Sequence, residues 1–201
     1  ASWYLPTSNR SAITEYKQRR IETAKFFDID KISDQNSKYP HMLPSRENFW
    51  QHVKDLGISK DDFIVAYDGM GIFSAARCWW MFRVMGWNEP QIGVLDGGFP
   101  RFAERFPEQI DSSAVESLSH EPGEDLSSYF TMNEKLLRTS DDIESNLETH
   151  EEIVVDARPQ GRFDGVAPEP RPGLPSGHMP KSVSIPFTEV LENGCMRTDE
   201  Q

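Results

Sequence analysis

Two tandem α/β units, each a parallel sheet flanked by helices and the second incomplete in this chain, form the fold class that the sequence predicts. Three observations carry it. A strand, loop, helix and strand follow one another from Phe63 to Leu95, a new strand pattern opens at Ile153, and short motifs of one half recur in the other at a nearly constant offset.

In the first half, RRIETAKFFDID (Arg19 to Asp30) closes on an apolar stretch that predicts a strand over Lys25 to Ile29. Ser45 then stands as N-cap before RENFWQHVKDL, where Phe49, Trp50, Val53 and Leu56 share one helical face and Gly57 is the stop. FIVAY (Phe63 to Tyr67) is a short run of strand formers, followed by the turn DGMG and by SAARCWWMFRVMG, a helix-length segment closed by Gly86. IGVL (Ile92 to Leu95) comes at once. A strand, helix and strand in that order cross over right-handedly and pair in parallel.

From Pro107 to about His150 the chain turns acidic and serine-rich (SSAVESLSHEPGEDLSS), which reads as an interdomain connection carrying a short capped helix over Ser140 to Leu147. EIVVDAR supplies a strand at Ile153 to Asp156, and SVSIPF another at Val183 to Phe187. These late pieces echo early ones: DARPQGRF matches ASWYLP with Ala157 on Ala1, an offset of 156, and SGHMPKSVSIPF matches RRIETAKFFDID with His178 on Arg20, an offset of 158. A nearly constant offset is the mark of duplication. The expected division is residues 1–106, a connector at 107–150, and residues 151–201. In this register the counterpart of Val154, Val155 and Asp156 would precede Ala1, and the counterpart of Phe63 to Met85 would fall past Gln201.

The composition is that of a globular protein, 37% hydrophobic and 11% aromatic over 201 residues, with a formal net charge of −12. Such a field repels nucleic acid and anionic membrane, so any anion site must rest on locally gathered arginines. No apolar run approaches the roughly 18 residues of a membrane span, and the opening ASWYLPTSNR lacks the regions of a secretory signal. Cys78 and Cys195 are far apart, with no C-x-x-C and no histidine at ligand spacing, so neither a disulfide framework nor a metal site is expected, and a reducing compartment fits.

The stretch Gly161 to Pro180, GRFDGVAPEPRPGLPSGHMP, holds five prolines with Arg162 and Arg171. Each proline fixes its own φ and limits its predecessor, so the loop can present two cations before any ligand orders it. A guanidinium fork suits a carboxylate; alternatively both arginines brace the fold by pairing with Asp156, Asp164 or Glu169. Arg158 is expected to brace. Asp30 and His41 could pair so that the carboxylate fixes the imidazole tautomer, against the plainer reading of His41 as a solvated loop residue. DGMG lacks the third glycine of a dinucleotide fingerprint, and no P-loop lysine follows. Cys78, in ARCWWMF, reads as a core thiol with raised pKa, and Cys195, after a turn glycine, as exposed with no helix N-terminus behind it.

DGMGIFSAARCWWMFRVMGW, VLDGGFPRF, DARPQGRFDGVAPEPRPGLPSGHMPKSVSIPF and ASWYLP together resemble the two-domain rhodanese superfamily, and within it the 3-mercaptopyruvate branch, over nearly all of the chain apart from the acidic connector. The resemblance implies tandem rhodanese-like domains. It implies a cysteine on a strand-to-helix loop of the second domain whose thiolate takes sulfur from 3-mercaptopyruvate, forms a persulfide and releases pyruvate. Thioredoxin, another thiol or cyanide would accept the sulfur, with no cofactor, in cytosol or mitochondrion. Arg162 and Arg171 fall on the branch's substrate-carboxylate arginines, and Asp30 and His41 on its relay towards a serine of the cysteine loop. Arg171, Asp30 and His41 separate it from the thiosulfate branch. Asp68 stands where the second domain's cysteine would be, so the first domain is non-catalytic and DGMG a retired loop, while His178 is structural. The cysteine loop is not in this chain, which alone is expected to be inactive. The competing readings are a non-catalytic rhodanese-like module that binds an anion or a partner protein, and a thiosulfate sulfurtransferase.

Overall fold

A computed structural model describes residues 1–115, 118, 120–171 and 173–198. Within the connector, residues 116, 117 and 119 lie outside the described residues, as do 172 and 199–201.

The chain opens with α1 (Ala12–Gln18), β1 (Arg20–Ile21), α2 (Ile29–Ile32) and α3 (Arg46–Asp55), then runs β2 (Ile64–Ala66), α4 (Ala75–Val84), β3 (Ile92–Val94), α5 (Gly98–Arg105) and β4 (Ile110–Asp111). The later part holds α6 (Ser140–Thr149), β5 (Val155–Asp156), α7 (Gln160–Phe163), β6 (Val183–Ser184), β7 (Leu191–Glu192) and β8 (Cys195–Met196). β2 pairs in parallel with β3 across α4, and β5 in parallel with β6. β1 with β4 and β7 with β8 are antiparallel pairs. The chain is therefore an α/β protein built from small parallel sheets with helices packed on them, as the sequence predicts.

Local chemistry explains the boundaries. Ser45 caps α3 by accepting from Asn48 N–H, and Thr139 with Asp142 forms a reciprocal capping box at the start of α6. Gly86, at φ 102°, ends the segment of α4, where a Cβ would meet the Thr131 carbonyl at 2.2 Å. One expected element is corrected. Lys25 to Asp28 is not in a strand, and Ile29 instead starts α2, capped by Asp28 accepting from Lys31 N–H at 3.2 Å. The side chains there suit a strand, but a strand exists only through a ladder, and among the described residues none pairs with this segment.

The core lies in the first half. Phe49, Trp50 and Val53 from α3 meet Met81, Phe82 and Met85 from the far side, with Trp87 between them, all essentially inaccessible to solvent. Trp50 stacks on Phe130 at 5.0 Å and Trp87 stacks on the same ring at 4.7 Å; aromatic pairs of this kind contribute about 0.5–1.5 kcal/mol beyond their buried area. Leu126 and Phe130 thus reach this core from within the acidic stretch. Arg46 holds the Phe130 carbonyl at 2.6 Å, and Asn133 N–H donates to Val84 at 2.7 Å. The two halves touch through Phe73 and Phe187 at 5.7 Å, and Met196 N–H donates to Asp96 at 2.7 Å.

Candidate active site

Asp30 lies in the first turn of α2 and projects a largely exposed carboxylate. Its Oδ1 accepts His41 Nε2 at 2.6 Å and the Trp3 indole Nε1 at 3.1 Å. Because an ionised carboxylate only accepts, the imidazole presents Nε2–H to it and leaves Nδ1 as the nitrogen able to take a proton. His41 is held at φ 60°, a left-handed conformation, and its carbonyl takes a hydrogen bond from the Arg77 guanidinium. Burial lowers the Arg77 pKa, and its Nε is without a partner among the described residues. The Trp3 ring meets the His41 ring edge-on at 4.7 Å and lies nearly parallel to Phe73 at 6.4 Å.

The two arginines of the proline-rich loop behave differently. Arg162 donates Nε to both oxygens of Glu169, at 3.2 and 3.1 Å, and its Nη2 also bonds that carboxylate. Glu169 simultaneously holds Arg158 at 2.8 Å, and Arg158 grips Asp156 through Nε at 2.9 and 3.0 Å. The hydrogen bond from Arg162 is the largest cause holding the Glu169 carboxyl below its ordinary pKa. Arg158 is thus a brace, and Arg162 is paired as well. Arg171 makes no ion pair among the described residues. Its guanidinium instead lies 5.9 Å from the centre of the Trp3 ring, which brings the loop of the second half onto the Asp30 and His41 cluster of the first. His178 Nδ1–H donates to the Phe163 carbonyl at 2.8 Å, and the imidazole stacks on the Phe163 ring at 3.7 Å. It closes the loop.

Asp68 ends the segment after β2 and is 1% exposed. Its carboxylate accepts N–H groups from Met70, Phe73, Ser74 and Ala75 at 2.7–2.9 Å, the last three leading into α4. A ring of convergent amides at a helix start is an anion cradle, and here the protein's own side chain fills it. Cys78 lies on the buried face of α4, which pushes its thiol up to about 12. Cys195 sits on the β7–β8 hairpin and takes a hydrogen bond from Arg101. Between the start of α4 and the second half, an open groove of about 500 Å³ is lined by Phe73, Ala76, Arg162, Phe187 and Val190 among others.

Sequence reasoning gave no role to Trp3, although ASWYLP marked the repeat. A tryptophan in an opening turn gives no sign of which carboxylate its N–H will find. Nor could it tell Arg162 from Arg171, because their difference depends on where the Glu169 side chain swings.

Parallel strands joined by a helix, with Arg171 of the proline-rich loop brought against Trp3 beside Asp30 and His41, define an α/β protein whose candidate site draws residues from both halves of the chain. Comparison with known proteins agrees. A rhodanese-like domain model matches residues 10–105. The chain is 42% identical over 204 residues to the 3-mercaptopyruvate sulfurtransferase of Rattus norvegicus, covering all of this chain and 66% of the relative. It is also 42% identical over 207 residues to the mitochondrial thiosulfate/3-mercaptopyruvate sulfurtransferase 1 of Arabidopsis thaliana, covering 96% of this chain and 54% of that protein. The crystal structure of the Escherichia coli 3-mercaptopyruvate sulfotransferase SseA superposes with a TM-score of 0.82 at 30% identity, over 100% of this chain and 72% of that one. The chain belongs to the rhodanese family. It spans between half and two thirds of the length of these curated relatives. No helix among the described residues is long and apolar enough to cross a membrane.

Proposed function

We propose that these residues form the substrate-binding part of a sulfurtransferase that moves sulfur from 3-mercaptopyruvate through a cysteine persulfide to a thiol or cyanide acceptor and releases pyruvate. A cysteine thiolate attacks the substrate sulfur, the carbon–sulfur bond breaks, and the departing enolate takes the proton that the thiol gives up. The persulfide keeps the sulfur for the acceptor, thioredoxin or another small thiol. Residues 1–106 serve as the non-catalytic repeat, 107–150 as connector, and 151–201 as the start of the catalytic repeat. The single observation behind the reading is the Arg171 guanidinium over Trp3, whose indole bonds Asp30 beside His41: a free carboxylate receptor next to a carboxylate-oriented imidazole. Arg171 takes the substrate carboxylate, Arg162 joins it when Glu169 yields one of its oxygens, and His41 Nδ1 moves a proton.

Neither Cys78, buried with a raised pKa, nor Cys195 serves as nucleophile, so the 201-residue chain alone releases no pyruvate, and a version extended by a family-type cysteine loop does. In that extended enzyme Arg171→Ala lowers kcat/KM for 3-mercaptopyruvate about ten- to a hundredfold, the worth of one charge-assisted hydrogen bond. Thiosulfate lacks a carboxylate, and its turnover is nearly unchanged. Equal losses on both substrates would favour the second reading, a thiosulfate sulfurtransferase, which the double name of the Arabidopsis relative keeps in play. Cytosol or mitochondrion is the proposed location, the latter after the same relative.

A further inference from the structure

We infer that Trp3 is a positioning residue that couples the Asp30 and His41 pair to Arg171, so that the carboxylate receptor and the proton-carrying imidazole are held at one spacing. The inference rests on the sulfurtransferase reading for its consequence in turnover, but not for its geometry.

Four contacts converge on one side chain. The indole Nε1–H donates to the same Asp30 Oδ1 that His41 uses, at 3.1 Å. The ring meets the His41 edge at 4.7 Å, lies nearly parallel to Phe73, and has the Arg171 guanidinium 5.9 Å from its centre. The backbone is fixed too: Trp3 N–H donates to Ser74 Oγ at 3.0 Å, and Ser74 Oγ donates to the Ala1 carbonyl at 2.8 Å. Ser74 N–H is itself one of the amides that hold Asp68. The Trp3 backbone is therefore anchored to a buried carboxylate cradle, independently of the Arg171 loop. A second donor on Oδ1 limits the directions from which the carboxylate can receive His41, which aims Nδ1. The indole face gives Arg171 a resting place that does not neutralise it, unlike the carboxylate that holds Arg162. That leaves its fork open to a ligand carboxylate.

The test begins with the 201-residue chain, nitrogen-15 labelled, with the Trp3 indole cross-peak assigned by Trp3→Phe. Pyruvate is the probe. The Trp3 peak should move on titration with pyruvate, stay in place in Arg171→Ala, and be displaced without ligand in Asp30→Ala. Should pyruvate shift the arginine Nε signals while leaving the Trp3 peak unmoved, the coupling is overturned and the substrate reading stands. If pyruvate perturbs neither, both fall. In the extended enzyme, Trp3→Phe keeps the ring and loses the N–H, so kcat for 3-mercaptopyruvate should drop roughly five- to twentyfold with KM within about twofold. Trp3→Leu loses the ring as well and should raise KM in addition. Combined with Arg171→Ala, it should cost less than the product of the single losses, as coupled residues do. Additive losses, or equal losses on thiosulfate with a lowered melting temperature, would reduce Trp3 to packing.

Discussion

Trp50 and Trp87 of the first half stack with Phe130 from the acidic stretch, all within 6.2 Å of one another, and Phe49, Met81 and Val84 around them are sealed from solvent. In residues 151–198, by contrast, Ile153 is 81% and Val166 82% exposed, and Pro186 is the one described residue that is buried. The two halves carry the same duplicated pattern, yet different forces order them. The first is held by apolar burial. The second is held by ion pairs around Glu169, by the short β5–β6 ladder and by prolines that restrict the loop. Motifs can thus recur along the chain without the same amount of core recurring behind them.

The largest effect that could break this contrast is truncation of a core ring. Trp50→Ala should destabilise the chain by about 3–5 kcal/mol and could leave it unfolded, whereas Val155→Ala on the exposed strand should stay within about 0.5 kcal/mol. Denaturant melts followed by circular dichroism would show it, and comparable losses at both positions would erase the contrast. Next comes the polar interior of the first half. Asp68→Ala strips the acceptor from four amides and should cost about 3 kcal/mol, while Asp68→Asn, which keeps one acceptor oxygen, should recover part of that. Identical melts for the two variants would mean that the cradle matters only as space.

The smallest and sharpest effect is in the arginine loop. Glu169 has its pKa lowered in the folded chain, first by the hydrogen bond from Arg162, so its contribution is fully present above its ordinary 4.5 and is lost as pH falls through the depressed folded value. Hydrogen exchange of residues 158–178 should therefore quicken on acidification below that range, with the first-half core unaffected, and Glu169→Gln should quicken it already at neutral pH. A Glu169→Gln chain with wild-type exchange in this loop would remove the ion pairs from the account.

Much of this was legible in the sequence because each signal was local. FIVAY, DGMG and the helix closed by Gly86 follow rules of period and turn chemistry, and they become β2, the Asp68 loop and α4. What was hidden depends on partners. Lys25 to Asp28 has strand residues but no ladder. Leu126 and Phe130 are lone apolar residues in an acidic, serine-rich stretch, so composition hid them, and only the facing Trp50 and Trp87 give them a place. Asp30 and His41 are eleven residues apart across a loop, and their meeting follows from α2 and from Arg77 holding the His41 carbonyl.

The Asp68 cradle has one more implication. A carboxylate tethered within a few residues of the amides it occupies is an intramolecular ligand, which binds without the translational and rotational loss that a free anion bears. A freely diffusing anion would have to bear that loss and expel the tethered carboxylate as well. The amides at the start of α4 thus carry an internal ligand, whereas the Arg171 guanidinium carries no ion pair among the described residues.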